Sequence, residues 1–78
     1  MTERKIKLNS IDDVKEFTSL VNGLAFDADV ISGRYAVDAK SIMGIFSLDL
    51  TKELTLKLHC DDAECQDFLD DAKKFLTD

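Results

Sequence analysis

The chain contains no proline, so no rigid spacer separates its segments, and its elements follow one another through short turns. It has one histidine, His59, and two cysteines, Cys60 and Cys65. Two cysteines are too few for the disulfide framework of a small secreted domain, and they lack C-x-x-C spacing. A zinc site on these residues would need two more ligands, and only carboxylates remain to supply them. No metal or cofactor is therefore expected, and the cysteines read as ordinary reduced thiols, with Cys65 on a buried helix face. Apolar runs extend for only a few residues, too short to span a bilayer. The opening Met1-Thr2-Glu3-Arg4-Lys5 is not followed by the apolar core of a secretion signal, which makes the cytoplasm the expected compartment. Cations are also scarce, ten Lys and Arg against sixteen Asp and Glu, for a net charge of −6. Such a surface repels nucleic-acid backbones and anionic lipid, so neither is an expected partner. Residues 61–78 hold most of the excess, with seven acids against Lys73 and Lys74.

A chain of 78 residues supports one domain with a thin core, read here as residues 1–78, in two layers with one face of each element buried. Residues 3–8 alternate, placing Ile6 and Leu8 on one strand face. Ser10 and Asp13 have the spacing of a helix cap with an acid at the third position. Ile11, Val14, Phe17, Leu20, Val21 and Leu24 then form an apolar stripe, with Gly23 as a stop. Residues 26–32 and 34–39 read as two strands of a hairpin turning at Gly33. Ser41 opens a short helical segment, Ile42-Met43-Gly44-Ile45-Phe46. Residues 53–60 alternate cleanly, with Leu54, Leu56 and Leu58 inward and Thr55, Lys57 and His59 outward. Asp61 and Glu64 form a second cap pair, followed by a helix whose apolar face is Cys65, Phe68, Leu69, Ala72, Phe75 and Leu76. The order is β-α-β-β-α-β-α. It predicts an α+β fold, a four-stranded antiparallel sheet with helices on one face and the other face left to solvent.

That order, and the segment Ala39-Lys40-Ser41-Ile42-Met43-Gly44-Ile45-Phe46-Ser47-Leu48, resemble the HPr family, the phosphocarrier proteins of the bacterial sugar phosphotransferase system. In Gram-positive members the corresponding segment reads Lys-Ser-Ile-Met-Gly, an apolar pair, then Ser-Leu. Asp27-Ala28-Asp29-Val30 is also similar to the family. The resemblance is specific across about residues 27–48 and compatible with the whole chain in length and order, with a hairpin at Gly33 about two residues shorter than is usual. It implies the family's open-faced β-sandwich. The family carries its phosphate on a histidine at the start of the first helix, in a segment of the form Gly-Leu-His-x-Arg-Pro. The matching stretch here is Ser10-Ile11-Asp12-Asp13-Val14-Lys15. Asp12 takes the histidine's place and Val14 the arginine's; a shift of one residue puts Asp13 and Lys15 there instead. Neither alignment supplies a histidine, and His59 lies far along the chain on the last strand.

By the resemblance, Ser41 corresponds to the serine phosphorylated by the HPr kinase/phosphorylase. Lys40, Ile42, Met43 and Phe46 around it correspond to a surface that docks partner proteins, a transcriptional regulator among them. Beside this stands the plain expectation that Ser41 caps a short helix, that Ile42 and Ile45 are core, and that Met43 and Phe46 stay partly exposed. Asp12 and Asp13 are ordinary first-turn acids, or a fixed negative charge where the family bears a phosphoryl group. Catalysis is not expected, because no nucleophile, base and pocket come together: His59 and Cys60 are strand neighbours whose side chains point to opposite faces. The expected protein resembles the catabolite-repression paralogue of HPr, which keeps the serine and lacks the histidine. The alternative is an interaction module that keeps the fold without either phosphorylation.

Overall fold

The computed structural model describes residues 1–78. Its elements are β1 (Thr2–Ile6), α1 (Ile11–Asn22), β2 (Ala28–Ser32), β3 (Tyr35–Asp38), α2 (Ile42–Phe46), β4 (Leu54–Leu58) and α3 (Asp62–Asp71), followed by a single 3-10 turn at Lys73–Phe75. The strands form one antiparallel sheet in the order β1-β4-β2-β3. This is the predicted α+β open-faced arrangement.

Alternation in β4 sets the inner face of the sheet. Leu54, Leu56 and Leu58 are almost fully buried, and their register places Ile6 of β1 opposite Leu54 and Val30 of β2 opposite Leu56. The helices supply the second layer. Phe17 of α1 is fully buried and meets Phe68 and Phe75 edge to face, with ring centroids 6.5 and 5.9 Å apart. That geometry suits aromatic quadrupoles. Val14, Val21, Ile45, Leu69 and Ala72 complete the core. The outer sheet face is polar, with Glu3, Lys57 and Asp29 in one cross-strand row.

Turn and cap chemistry explain most boundaries. The Ser10 hydroxyl accepts from the Asp13 amide at 3.1 Å, and the Asp13 carboxylate accepts from the Asn9 amide at 2.9 Å, so the start of α1 is tied from both sides. Gly33 has φ +60, and no other residue has a positive φ. With Ser32 paired to Tyr35, Gly33 and Arg34 form a two-residue turn whose left-handed angle falls on its first position, as a type II′ hairpin requires. Gly23 does follow the last residue of α1, but with φ −81. The helix stops there without the left-handed cap that glycine often provides.

Four expectations need correction. The stripe on α1 does not bury Ile11, which is 62% exposed, because the first helical residue projects past the rim of the core. The last helix was expected to run to Leu76, but it ends at Asp71, and Lys73 and Lys74 lie in the following 3-10 turn. The tail instead zips along the outer edge of β1. The Lys7 amide donates to the Phe75 carbonyl and the Thr77 amide to the Lys5 carbonyl, each at 2.9 Å, and Leu76 bridges Ile6. Backbone groups of the edge strand β1 thereby find partners that a continued helix would deny them. Third, Cys60 and Cys65 are not separate thiols. They form a disulfide with Cα atoms 5.9 Å apart, within the normal span. Both side chains point inward as the chain reverses from β4 into α3. Fourth, His59 is not simply solvated: its Nε2 lies 2.9 Å from a carboxylate oxygen of Asp29 on the outer sheet face. Both side chains are more than a third exposed, so such a pair adds little stability.

Truncating the aromatic hub, Phe17→Ala, is expected to cost about 3–5 kcal/mol, measured by urea denaturation. The tail clasp is pH-sensitive. Asp78 accepts from the Lys5 amide and from Arg4 Nε, at 3.1 and 3.0 Å. These bonds, the Lys5 amide foremost, hold its carboxyl below the ordinary value of 3.8. A lowered folded value means stabilisation is complete above the unfolded value and is lost as pH falls through the folded one. Asp78→Asn is therefore expected to reduce stability at neutral pH and to flatten its decline below about pH 4, in unfolding curves compared across acid pH.

Candidate functional site

α1 and α2 lie side by side in opposite directions. Near the end of α1, the Asn22 side-chain amide donates to the Lys40 carbonyl, and Lys40 Nζ donates to the Leu24 carbonyl, both at 3.2 Å. These bonds put the start of α2 against the end of α1. At the opposite end, Ser10 and Ile11 share a groove with Phe46, Leu48 and Leu50. Since α1 has twelve residues, it separates these two regions by about 18 Å. Asp12–Asp13 and Ser41 therefore belong to opposite ends of one helical ridge and form no single cluster.

Ser41 is exposed. A tight turn presents it, in which the Asp38 carboxylate accepts from the Lys40 amide at 2.9 Å and the Asp38 carbonyl accepts from the Ser41 amide at 3.0 Å. The Ser41 hydroxyl accepts from the Gly44 amide at 3.1 Å, so it does cap α2. Gly44 is needed for close approach. A Cβ at this position would come within 3.2 Å of both the Ser41 hydroxyl and Val37 Cβ, which wedges it between the cap and the sheet. Ile45 is fully buried and Ile42 packs against the core. Met43 is 75% exposed and Phe46 39%. Of the expected docking residues, then, Met43 and Phe46 face outward. Ile42 is half-buried, and Lys40 folds back onto the end of α1.

At the start of α1, Asp13 is engaged in the cap, whereas Asp12 is exposed. Of the two residues that the resemblance sets against the family's arginine, Val14 is fully buried and presents nothing to solvent, whereas Lys15 is exposed. The one histidine follows the far end of β4. Because β1 and β4 are antiparallel, with Ile6 opposite Leu54 and Thr2 opposite Leu58, α1 begins at one end of the sheet and His59 sits at the other. It cannot stand in for a histidine at the start of α1. Three features of this surface had escaped the sequence pattern. Ile11 joins Phe46 in the groove, and Leu50 lines it with them. Asp49 sets the turn below it: its carboxylate accepts from the Thr51 hydroxyl and amide, bonds that lower its pKa. The Asp-x-Thr spacing was the available signal for that turn.

The family model described as "PTS HPr component phosphorylation site" matches residues 14–78. The chain belongs to the PTS-HPr family, and its fold is that of the phosphotransferase-system phosphocarriers. The matched stretch begins at Val14, just past Asp12 and Asp13. Among solved structures, HPr-C-His from Thermoanaerobacter tengcongensis is similar at 23% identity and a TM-score of 0.75, covering 95% of this chain and 93% of that one. The phosphocarrier protein HPr of Bacillus anthracis str. Ames is 20% identical with a TM-score of 0.71, covering 97% and 96%. The histidine-containing phosphocarrier protein of Mycoplasma is 17% identical with a TM-score of 0.60, covering 91% and 93%. At these identities the likeness is one of fold. No curated protein matches the sequence. No helix is long and apolar enough to cross a membrane.

Gly44→Ala is expected to destabilise the protein, although alanine is the better helix former by about 1 kcal/mol, because its Cβ crowds Val37 and the Ser41 cap. Ser41→Ala should cost about 1 kcal/mol through the lost cap alone. Thermal unfolding of the two variants and the double variant checks this, with a double-variant loss smaller than the sum of the singles.

Proposed function

We propose that this chain is a regulatory, non-carrier member of the family, acting in the cytoplasm as a binding protein rather than an enzyme. Its signal is reversible phosphorylation of Ser41 by an HPr kinase/phosphorylase, and its output is a changed choice of protein partner, a transcriptional regulator among them. The observation that carries this reading is the exposed Ser41 hydroxyl at the mouth of α2, beside a largely exposed Met43 and a partly exposed Phe46. A phosphate there adds nearly two negative charges within reach of the α2 backbone N–H groups. It changes the electrostatics of an apolar surface without entering the core. Phosphohistidine transfer is not part of the proposal, because the position that would bear it holds Asp12 or Asp13.

A second reading has an observation of its own. On the alignment that sets Val14 in the arginine's place, the side chain there is buried, which removes a cation that partners or kinase would meet. On that reading the chain is an interaction module that kept the fold and lost both phosphorylations, its groove of Ile11, Phe46, Leu48 and Leu50 being the binding surface.

Incubation with a Gram-positive HPr kinase and ATP, followed by intact-mass and peptide mass spectrometry, separates the two. One phosphate on Ser41, absent from Ser41→Ala, is the expected result. An unmodified Ser41 in a folded protein would sink the regulatory reading in favour of the module.

A further inference from the structure

One feature outside this ridge has no part in the proposed function: the Cys60–Cys65 disulfide between the end of β4 and the first turn of α3. Three observations bear on what it does. First, it closes a loop of only four intervening residues, and short loops contribute least to stability by cross-linking. Second, α3 is anchored without it. Asp61 and Glu64 form a reciprocal capping box, the Glu64 amide donating to the Asp61 carboxylate at 2.9 Å, and Phe68, Leu69 and Ala72 are buried in the core. Third, the two sulfurs are unequal. Cys60 lies nearer the surface, at 8% exposed against 2% for Cys65, so an incoming thiolate reaches Cys60 first.

We propose that Cys60–Cys65 is a thiol–disulfide exchange site, opened and closed within the folded protein by a cationic thiol partner. A thiolate attacks Cys60 Sγ and the Sγ–Sγ bond breaks. Its electron pair leaves on Cys65 Sγ, which takes a proton from solvent. A mixed disulfide remains on Cys60. A second thiol of the reductant attacks the reductant's own sulfur in that mixed disulfide and releases Cys60, which is protonated in turn. Two electrons pass from two thiols to the protein, and the reductant ends as a disulfide. Low-molecular-weight disulfides drive the reverse. Surface charge selects the reagent: Asp61, Asp62, Glu64 and Asp67, all exposed, flank the two cysteines along the chain, and their field attracts cationic thiols and repels anionic ones. This exchange is independent of the Ser41 reading. In the reducing cytoplasm proposed above, such pairs are typically transient or redox-sensing.

The test uses the oxidised full-length protein. Alkylation and intact-mass analysis should show no adduct before dithiothreitol and two after, with an unchanged far-UV circular dichroism spectrum. Two free thiols before reduction would overturn the pairing, and loss of helical signal on reduction would make the bond a structural staple and overturn the exchange. Rates per thiolate are then compared for cysteamine, 2-mercaptoethanol and 3-mercaptopropionate. At low ionic strength cysteamine should be fastest and 3-mercaptopropionate slowest, by roughly tenfold between them, converging in high salt. Equal rates in low salt would overturn the charge selection. With cystamine as probe, Cys65→Ser should acquire a mixed disulfide on Cys60 well before Cys60→Ser does on Cys65. The opposite order would overturn the assignment of the attacked sulfur.

Discussion

β4 pairs with β1 on one side and β2 on the other, and its three leucines all face the helices. Leu54, Leu56 and Leu58 are therefore the floor on which both helical segments rest. Their period of two admits no slip, because a one-residue shift would turn Thr55, Lys57 and His59 into the core. Phe17, Phe68 and Phe75 form the opposing surface, and their edge-to-face contacts bring α1 and the C-terminal segment together above the sheet. In a domain this small one such layer must carry most of the hydrophobic stabilisation, which leaves the outer sheet face and the solvent-facing side of the α1/α2 ridge less constrained.

The ridge carries two sites of different character at its two ends. α1 begins over one end of the sheet with two acids and a buried valine. The start of α2 stands at the end of α1, where an exposed serine is held by a turn from Asp38 and by the amide of Gly44. These two places are structurally independent. An acid at the start of α1 disturbs nothing, since it suits the first turn. Altering Gly44 would press on both Ser41 and Val37. The geometry around Ser41 is thus tightly determined, whereas the side chains at the start of α1 are constrained chiefly by the cap between Ser10 and Asp13.

Much of this was legible along the chain because it is local. The alternation of residues 53–60, the Ser10–Asp13 and Asp61–Glu64 caps and the turn at Gly33 each rest on neighbouring residues, and each recurs in the structure. The segment around Ser41 was legible by resemblance, and its exposed Met43 and Phe46 followed from the short length of α2. Ile11 was misplaced because periodicity records which face a residue occupies, not whether the core extends beneath it. The last helix was drawn too long because Phe75 and Leu76 continue its spacing, whereas the unpaired edge of β1 offered the backbone of residues 75–77 better partners.

By itself the sequence determined the order of elements, the inward residues of β4 and most of those of α1, and the absence of a histidine at the start of α1, because these depend on period, capping chemistry and residue identity. Only the tertiary structure decided which residues from distant segments meet. It joined Ile11 to Phe46, separated Ser41 from Asp12, laid the tail along β1 and brought Cys60 onto Cys65. Such contacts depend on where a chain reverses and what an edge leaves unpaired, quantities that belong to the packed molecule and not to any window of its residues.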